Sequence, residues 1–134
     1  MPVTYQIDFA ARLIHTKCSG PITVADVIDH FRVLEQDPLC PDHADVLLEV
    51  LAGTSVPKSE ELRHVTRAIA SIRHRVQFGD CAIVAETNVL FGMMRMFEVF
   101  AEAYFRRTKA FRNVGDAEAW LASQRQAQLT AGHP

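Results

Sequence analysis

The stretch CAIVAETNVLFGMMRMFEVF, residues 81–100, decides the fold of this 134-residue chain. It begins with CAIVA, an apolar run of strand length, and continues through a short polar turn into apolar residues that recur at helical spacing. A buried strand followed directly by a helix is the repeating unit of a parallel sheet covered by helices. The sequence on both sides of this stretch shows the same alternation of strands and helices.

Towards the amino terminus, the segments TYQIDF and RLIHTKCS alternate in polarity, which predicts a β-hairpin that turns near residues 10–12. Thr23 and Asp26 form a capping box that begins the first helix, and this helix ends before Pro38. The run ADVLLEV predicts a second buried strand, and the second helix begins near Ser59. Towards the carboxyl terminus, TKAFR predicts a last strand and GDAEAWLASQRQ a last helix.

These patterns predict one α/β domain over residues 1–126, with the element order β-β-α-β-α-β-α-β-α. We expect a mixed sheet of four to five strands with about four packed helices. Residues 127–134 are expected to form a flexible tail.

Composition excludes several classes of protein. The formal net charge of -2 and the pI of 6.3 argue against general nucleic-acid binding, which requires a basic surface. The amino terminus does not resemble a signal peptide, and no apolar run reaches membrane-spanning length, so we expect a cytoplasmic protein. The three cysteines, Cys18, Cys40 and Cys81, have neither disulfide-framework nor metal-ligand spacing. We therefore expect no metal and no cofactor.

The helix that begins near residue 88 is apolar over about twice the arc that a surface helix needs. One stripe would face the core, and it comprises Leu90, Met94, Phe97, Ala101 and Phe105. A second stripe lies beside it and comprises Gly92, Met96, Phe100 and Ala103. This second stripe has four interpretations: further core, a homodimer surface, the wall of a ligand pocket, or a contact with a membrane surface.

The pocket interpretation places an apolar or amphipathic ligand between the second and third helices. One wall would comprise Leu62, Val65 and Ile69, and the other Met93, Met96, Phe97 and Phe100. Arg63 and Arg67 on the second helix would lie near an anionic head group, because this helix has a basic outer face. In an open α/β sheet such ligands bind beyond the carboxyl ends of the strands, which here means loops 51–59 and 85–92.

No catalytic group is predicted, because no nucleophile has a visible base partner and the six histidines are scattered along the chain. Ser59 is the hydroxyl of most interest. Its expected role is to cap the second helix, where a side-chain oxygen accepts a backbone N–H. A phosphate on Ser59 would meet a favourable helix dipole but would be repelled by Glu60 and Glu61.

Four segments, SGPITVADVIDHF, DPLCPDHADVLLEV, CAIVAETNVLFGMMRMFEVF and KAFRNVGDAEAWL, together resemble the SpoIIAA-like family, a branch of the STAS fold. The resemblance implies a mixed sheet with packed helices, frequent dimers, and binding of apolar ligands or association with membranes. Related anti-sigma factor antagonists are switched by phosphorylation of a serine in an Asp-Ser-Ser-Gly type motif. Only Ser59 matches that motif here, since its neighbours are Lys58 and Glu60.

The sequence therefore predicts a non-enzymatic binding module for an apolar or amphipathic ligand such as a fatty acid, with peripheral membrane contact as a related expectation. The alternative is a protein-interaction module of the anti-sigma factor antagonist type, with or without phosphorylation of Ser59. Homodimerisation through Gly92, Met96, Phe100 and Ala103 is compatible with both hypotheses.

Overall fold

In the computed structural model, which describes residues 2–131, the chain forms five strands and four helices. The strands are β1 (Val3–Asp8), β2 (Leu13–Cys18), β3 (His43–Val50), β4 (Gln77–Ala85) and β5 (Arg107–Phe111). The helices are α1 (Val24–Gln36), α2 (Ser59–Ser71), α3 (Asn88–Ala101) and α4 (Val114–Ala131). The predicted fold class is confirmed, because one α/β domain has the expected element order.

The five strands form one mixed sheet in the order β1-β2-β3-β4-β5. β1 and β2 are antiparallel, whereas β2 and β3, β3 and β4, and β4 and β5 pair in parallel. Each parallel connection contains a helix and each moves the chain one strand further in the same direction. Because such crossovers are right-handed, α1, α2 and α3 lie on one face of the sheet. We call this the three-helix face.

The core has one layer on each side of the sheet. On the three-helix face, Ile14, Cys81 and Ile83 pack beneath the buried side chains of α1, α2 and α3. On the opposite face, α4 covers β3 and β4 through Ala117 and Leu121. The strands are therefore apolar on both sides, as the runs ADVLLEV and CAIVA predict.

Most local signals in the sequence form the predicted structure. The Thr23 hydroxyl accepts the Asp26 N–H at 3.1 Å, and the Asp26 carboxylate accepts the Thr23 N–H at 2.8 Å, so the capping box is confirmed. The hairpin turns at residues 9–12, where Arg12 has a φ of 52°. This left-handed conformation is uncommon for a residue with a side chain, and it reverses the chain between β1 and β2.

Two predicted details differ from the structure. Lys58, not Ser59, precedes the first residue of α2, and its N–H donates to Glu61 Oε1 at 2.8 Å. Ser59 is instead an exposed residue of the first turn, so it does not cap the helix. The last helix extends beyond residue 126 to Ala131, which makes residues 127–131 of the expected tail helical, while residues 132–134 lie outside the described part.

α2 packs mainly between α1 and α3 and makes few contacts with the strands beneath it. As a result, Val46 and Leu48 are only half-buried, although they lie on the central strand β3. Apolar side chains at the centre of a sheet are normally covered completely. The gap above them is the most open part of the core.

At the opposite end of the sheet, a charged network connects β3, β4, α4 and Arg106, the residue before β5. Asp80 is fully buried and accepts two hydrogen bonds from Arg106, at 3.2 and 2.8 Å. The Asp45 carboxylate accepts the Asp80 N–H at 2.8 Å and lies 3.2 Å from Arg125 of α4. Hydrogen bonding to Asp80 raises the pKa of Arg106. The network fixes α4 to the sheet and leaves the buried carboxylate paired.

Candidate functional site

A cavity of about 250 Å³ lies between the three-helix face of the sheet and helices α1 and α2. The wall formed by the sheet includes Val46, Leu48 and Val50 of β3. The wall formed by the helices includes Val27, Phe31, Leu62, Val65, Ile69 and Phe97. Almost all of this lining is apolar, and we refer to the space as the cavity.

The mouth of the cavity lies at the carboxyl ends of β2 and β3. Cys18 and Val50, the last residues of these strands, contribute to the lining, together with the loop residues from Thr54 to Pro57. The amino-terminal ends of α1 and α2 complete the rim through Thr23 and Glu61. The loop 51–59 is therefore beside the cavity, as expected for ligand sites in open α/β sheets, whereas no residue of loop 85–92 lines it.

Hydroxyl groups at the mouth bind the backbone and hold its loops together. Thr54 Oγ1 donates to the carbonyl oxygens of Leu51 at 2.5 Å or Cys18 at 3.0 Å. Ser55 Oγ accepts the Ile22 N–H at 2.9 Å and lies 3.2 Å from the Ile22 carbonyl oxygen. These hydroxyls are engaged in supporting the rim.

Two polar side chains inside the cavity are not engaged in this way. The His30 ring packs edge-on against Tyr5, with centroids 5.3 Å apart, and against Phe31 at 5.1 Å. Thr16 pairs with Tyr5 across β1 and β2, so these groups occupy the same end of the cavity. Burial lowers the pKa of His30 to about 4, so the imidazole is neutral at neutral pH.

The charge carried by the cavity lining is negative, although Lys58 lies beside the rim, directly before α2. Glu61 is the one Asp, Glu, Lys or Arg residue among the described residues that line it. Asp26 in the first turn of α1 and Glu60 in that of α2 add two further carboxylates near the rim. These carboxylates already occupy the helix ends that would otherwise favour an anion.

The structure brings together part of the predicted ligand site. Leu62, Val65, Ile69 and Phe97 all line the cavity. Met93, Met96 and Phe100 are not among its lining residues, because α2 packs directly against α3 and leaves no room between them. The cavity therefore lies beneath α2, on its α1 side, rather than between α2 and α3 as predicted.

The predicted arginines also lie outside the cavity. The Arg63 guanidinium sits over the Phe100 ring, 5.2 Å from its centroid, and Arg73 is placed similarly over Tyr104 at 5.6 Å. Arg67 lines a separate groove between α1 and α2 that also contains Glu35. Neither Arg63 nor Arg67 is placed to hold the head group of a molecule in the cavity.

Sequence reasoning did not include Thr16, Val27 and His30 in the site. The sequence of the first helix contains a periodic pattern that includes two of these residues. His30 lies three residues after Val27 and four residues before the buried Leu34. This periodicity places His30 on the inner side of α1, at the edge of its apolar stripe. A histidine there is a candidate for the polar group of an otherwise apolar site.

The outer surface of α3 carries an exposed apolar line. Its members are spaced alternately by three and four residues: Val89, Gly92, Met96 and Val99 lie on the helix, and Ala103 extends the line into the turn after it. Val89 and Val99 are 60% and 66% exposed. We call this the α3 outer line. Phe100, by contrast, is half-buried beneath Arg63, so the predicted second stripe divides between two environments.

Comparison with known proteins leaves the family open. A scan against protein-family models gives no match, and a search of curated proteins gives none. Within residues 2–131, no helix has both the length and the hydropathy needed to cross a membrane.

Proposed function

We propose that this chain is a non-enzymatic binding module that holds an apolar or amphipathic molecule in the cavity. The observation that carries the proposal is the cavity itself, a space of about 250 Å³ with an almost entirely apolar wall. An engineered protein cavity of about 150 Å³ is large enough for benzene. By proportion, this cavity has room for a ligand of about ten non-hydrogen atoms.

The energetics of the core support this proposal. Val46 and Leu48 lose dispersion contacts on the side that faces the cavity, because no other side chain fills the space above β3. Unfilled space in a core destabilises the folded state in proportion to its volume. A ligand that fills the cavity restores these contacts and stabilises the folded chain by mass action.

A pair of substitutions on one helix tests the proposal. Val27 lines the cavity, whereas Val33 of the same helix is 56% exposed and lies outside it. We expect Val27→Phe to fill the space and to reduce ligand affinity about tenfold or more, because the added ring takes the ligand's place. The measurement is native mass spectrometry of the purified protein, followed by titration of small apolar ligands with detection by the melting temperature.

Val33→Phe is the matched control, since it adds the same volume to α1 without entering the cavity. Its affinity should equal that of the unmodified chain. Equal binding by Val27→Phe would show that ligands bind elsewhere. A purified chain without bound molecules that gains no stability from any apolar ligand would refute the carrier function.

The resemblance to the SpoIIAA-like family supports the same proposal, and we propose membership on the quoted segments and the matching element order. Peripheral membrane contact is a related proposal. Arg63 and Arg67 lie on the exposed surface of α2 and Arg73 in the turn after it, where they would attract anionic lipids. We propose a cytoplasmic location, with such contact made from that side.

A second proposal concerns the α3 outer line, which we assign to a second copy of this chain. Spacing of three and four residues is that of a two-helix seam. A twofold axis makes each residue meet its counterpart reciprocally. In an antiparallel crossing centred between Glu98 and Val99, Arg95 of one copy would therefore lie opposite Glu102 of the other. This charge complementarity favours a second copy over a membrane as the occupant.

The interaction-module hypothesis is the alternative to the carrier function. Ser59 is exposed and accessible to a kinase, but Glu60 and Glu61 follow it directly. A phosphate would add negative charge beside these two carboxylates. Ser59 is therefore less suited to a switch that orders α2 than a serine with neutral neighbours.

A further inference from the structure

The cavity has two polar side chains at the end nearest β1, and neither has a hydrogen-bond partner in the part of the chain that the structure describes. No hydrogen bond within residues 2–131 reaches the His30 ring nitrogens or the Thr16 hydroxyl. The opposite end of the cavity, towards β4 and α3, is apolar and includes Met94, Phe97 and Phe105. The cavity is therefore amphipathic along its length, with its polar end away from the arginines of α2.

Building on the proposed binding function, we propose that the ligand is an uncharged amphiphile whose hydroxyl or carbonyl group hydrogen-bonds to His30 and Thr16. Its hydrocarbon part extends beneath α2 towards Phe97 and Met94. Ligand sites commonly combine such an apolar wall with a few placed polar groups that fix orientation. This ligand class differs from the anionic amphiphile that the basic face of α2 predicts.

Charge excludes an anionic head group from this position. A carboxylate beside His30 would be buried without a cation, since neither lysine nor arginine lines the cavity among the described residues and burial lowers the pKa of His30, which keeps the imidazole neutral. Burying an unpaired ion carries a large free-energy penalty. Glu61, the one charged residue among the described residues that line the cavity, would add repulsion at its mouth.

The chemistry of the polar end fits an uncharged group. Because His30 is neutral, its ring offers one N–H donor and one nitrogen acceptor, and Thr16 offers a hydroxyl that can do either. An alcohol can donate to one of these side chains and accept from the other. An ammonium group would find no carboxylate among the described residues that line this end, since Glu61 lies at the rim and Asp37, which accepts the Tyr5 hydroxyl, is outside the lining.

Three matched ligands test the inference on the full chain at neutral pH: nonan-1-ol, octanoate and nonylammonium, each with about ten non-hydrogen atoms. Nonan-1-ol is expected to bind at least tenfold more tightly than either ion. The measurements are isothermal titration calorimetry and ligand-observed NMR. Matching the size of the ligands leaves the charge of the head group as the main variable.

Variants of the polar end test where the hydroxyl binds. Thr16→Val keeps the shape of the side chain and removes only the hydroxyl, and His30→Leu removes both ring nitrogens. Each is expected to weaken nonan-1-ol binding about fivefold to tenfold, as loss of one hydrogen bond implies. His30→Gln, which retains a donor and an acceptor, should recover part of the affinity. A purely packing role of His30 would not give this recovery.

The outcomes separate the ligand class from the binding function. Tighter binding of nonan-1-ol, reduced in Thr16→Val and His30→Leu, supports the inference. Octanoate or nonylammonium binding as tightly as the alcohol overturns the ligand class and leaves the carrier function standing. Unchanged alcohol binding in both variants overturns the assignment of the polar end. If none of the three ligands binds, the carrier function fails together with the inference.

Discussion

At the scale of single residues, His30 makes the stability of the fold depend on pH. Burial among Tyr5 and Phe31 lowers the pKa of His30 to about 4 from the model-peptide value of 6.5. As pH falls below about 6.5, the unfolded chain binds a proton that the folded chain does not bind until about pH 4. The free energy of unfolding therefore decreases through this window as pH is lowered.

We expect His30 to account for a loss of about 2 kcal/mol in the free energy of unfolding between pH 7 and pH 5. Its ring neighbour Tyr5 donates a hydrogen bond to Asp37 at 2.6 Å, so this carboxylate is already engaged. His30→Leu should lack this part of the pH dependence, as measured by urea unfolding at both pH values. The same pH dependence in both proteins would mean that the folded imidazole titrates near its ordinary pKa.

Arg106 provides a second prediction at this scale. It is the partner of the fully buried Asp80, so Arg106→Met leaves a carboxylate without its cation. We expect a loss of about 3 kcal/mol in the free energy of unfolding, measured by urea denaturation. Arg107→Met is the control, since Arg107 is exposed and should contribute less than about 0.5 kcal/mol. Equal losses would argue against a special role for the buried pair.

At the scale of elements, α3 contains a glycine, Gly92, that no close contact within the described chain requires. Gly92 lies inside the helix with an ordinary backbone, and a Cβ atom added there would meet no other atom within 4 Å. Glycine in a helix interior costs about 1 kcal/mol relative to alanine. The absence of a side chain at Gly92 is therefore favourable only if another surface approaches the α3 outer line closely.

Gly92→Ala tests this interpretation. We expect the substitution to raise the free energy of unfolding of the isolated chain by about 0.5 to 1 kcal/mol and to weaken self-association. Denaturation at low protein concentration and sedimentation equilibrium measure the two effects. Gly115→Ala on α4 is the control, because it lies away from the outer line and should not alter association. Unaltered self-association in Gly92→Ala would assign the outer line to another partner.

At the scale of the whole molecule, the sequence predicted the fold better than the site. Strand and helix order follows from local periodicity and caps, such as the box of Thr23 and Asp26, and these signals act within a few residues. The position of α2 relative to the sheet depends on how three helices share one face, which no local pattern contains. Consequently Leu62 and Ile69 line the cavity, whereas Arg63 lies outside it.

For the same reason, the sequence alone assigns Met96 and Phe100 to one stripe of α3. A helical wheel places them side by side, but the stacking of Arg63 on Phe100 separates a half-buried ring from an exposed methionine. Such contacts between helices join residues that are far apart in the sequence. His30, in contrast, lies in a pattern of helical spacing with Val27 and Leu34 that the sequence of α1 alone contains.

The order of the strands has a consequence for how the chain acquires its fold. Every strand after β1 pairs with the strand that precedes it in the sequence, so no strand must wait for a later one to complete its place. During synthesis from the amino terminus, the β1–β2 hairpin can form first and each following helix and strand can extend it. Assembly then requires only the closure of successive short crossovers, which keeps the entropic cost of each folding step small.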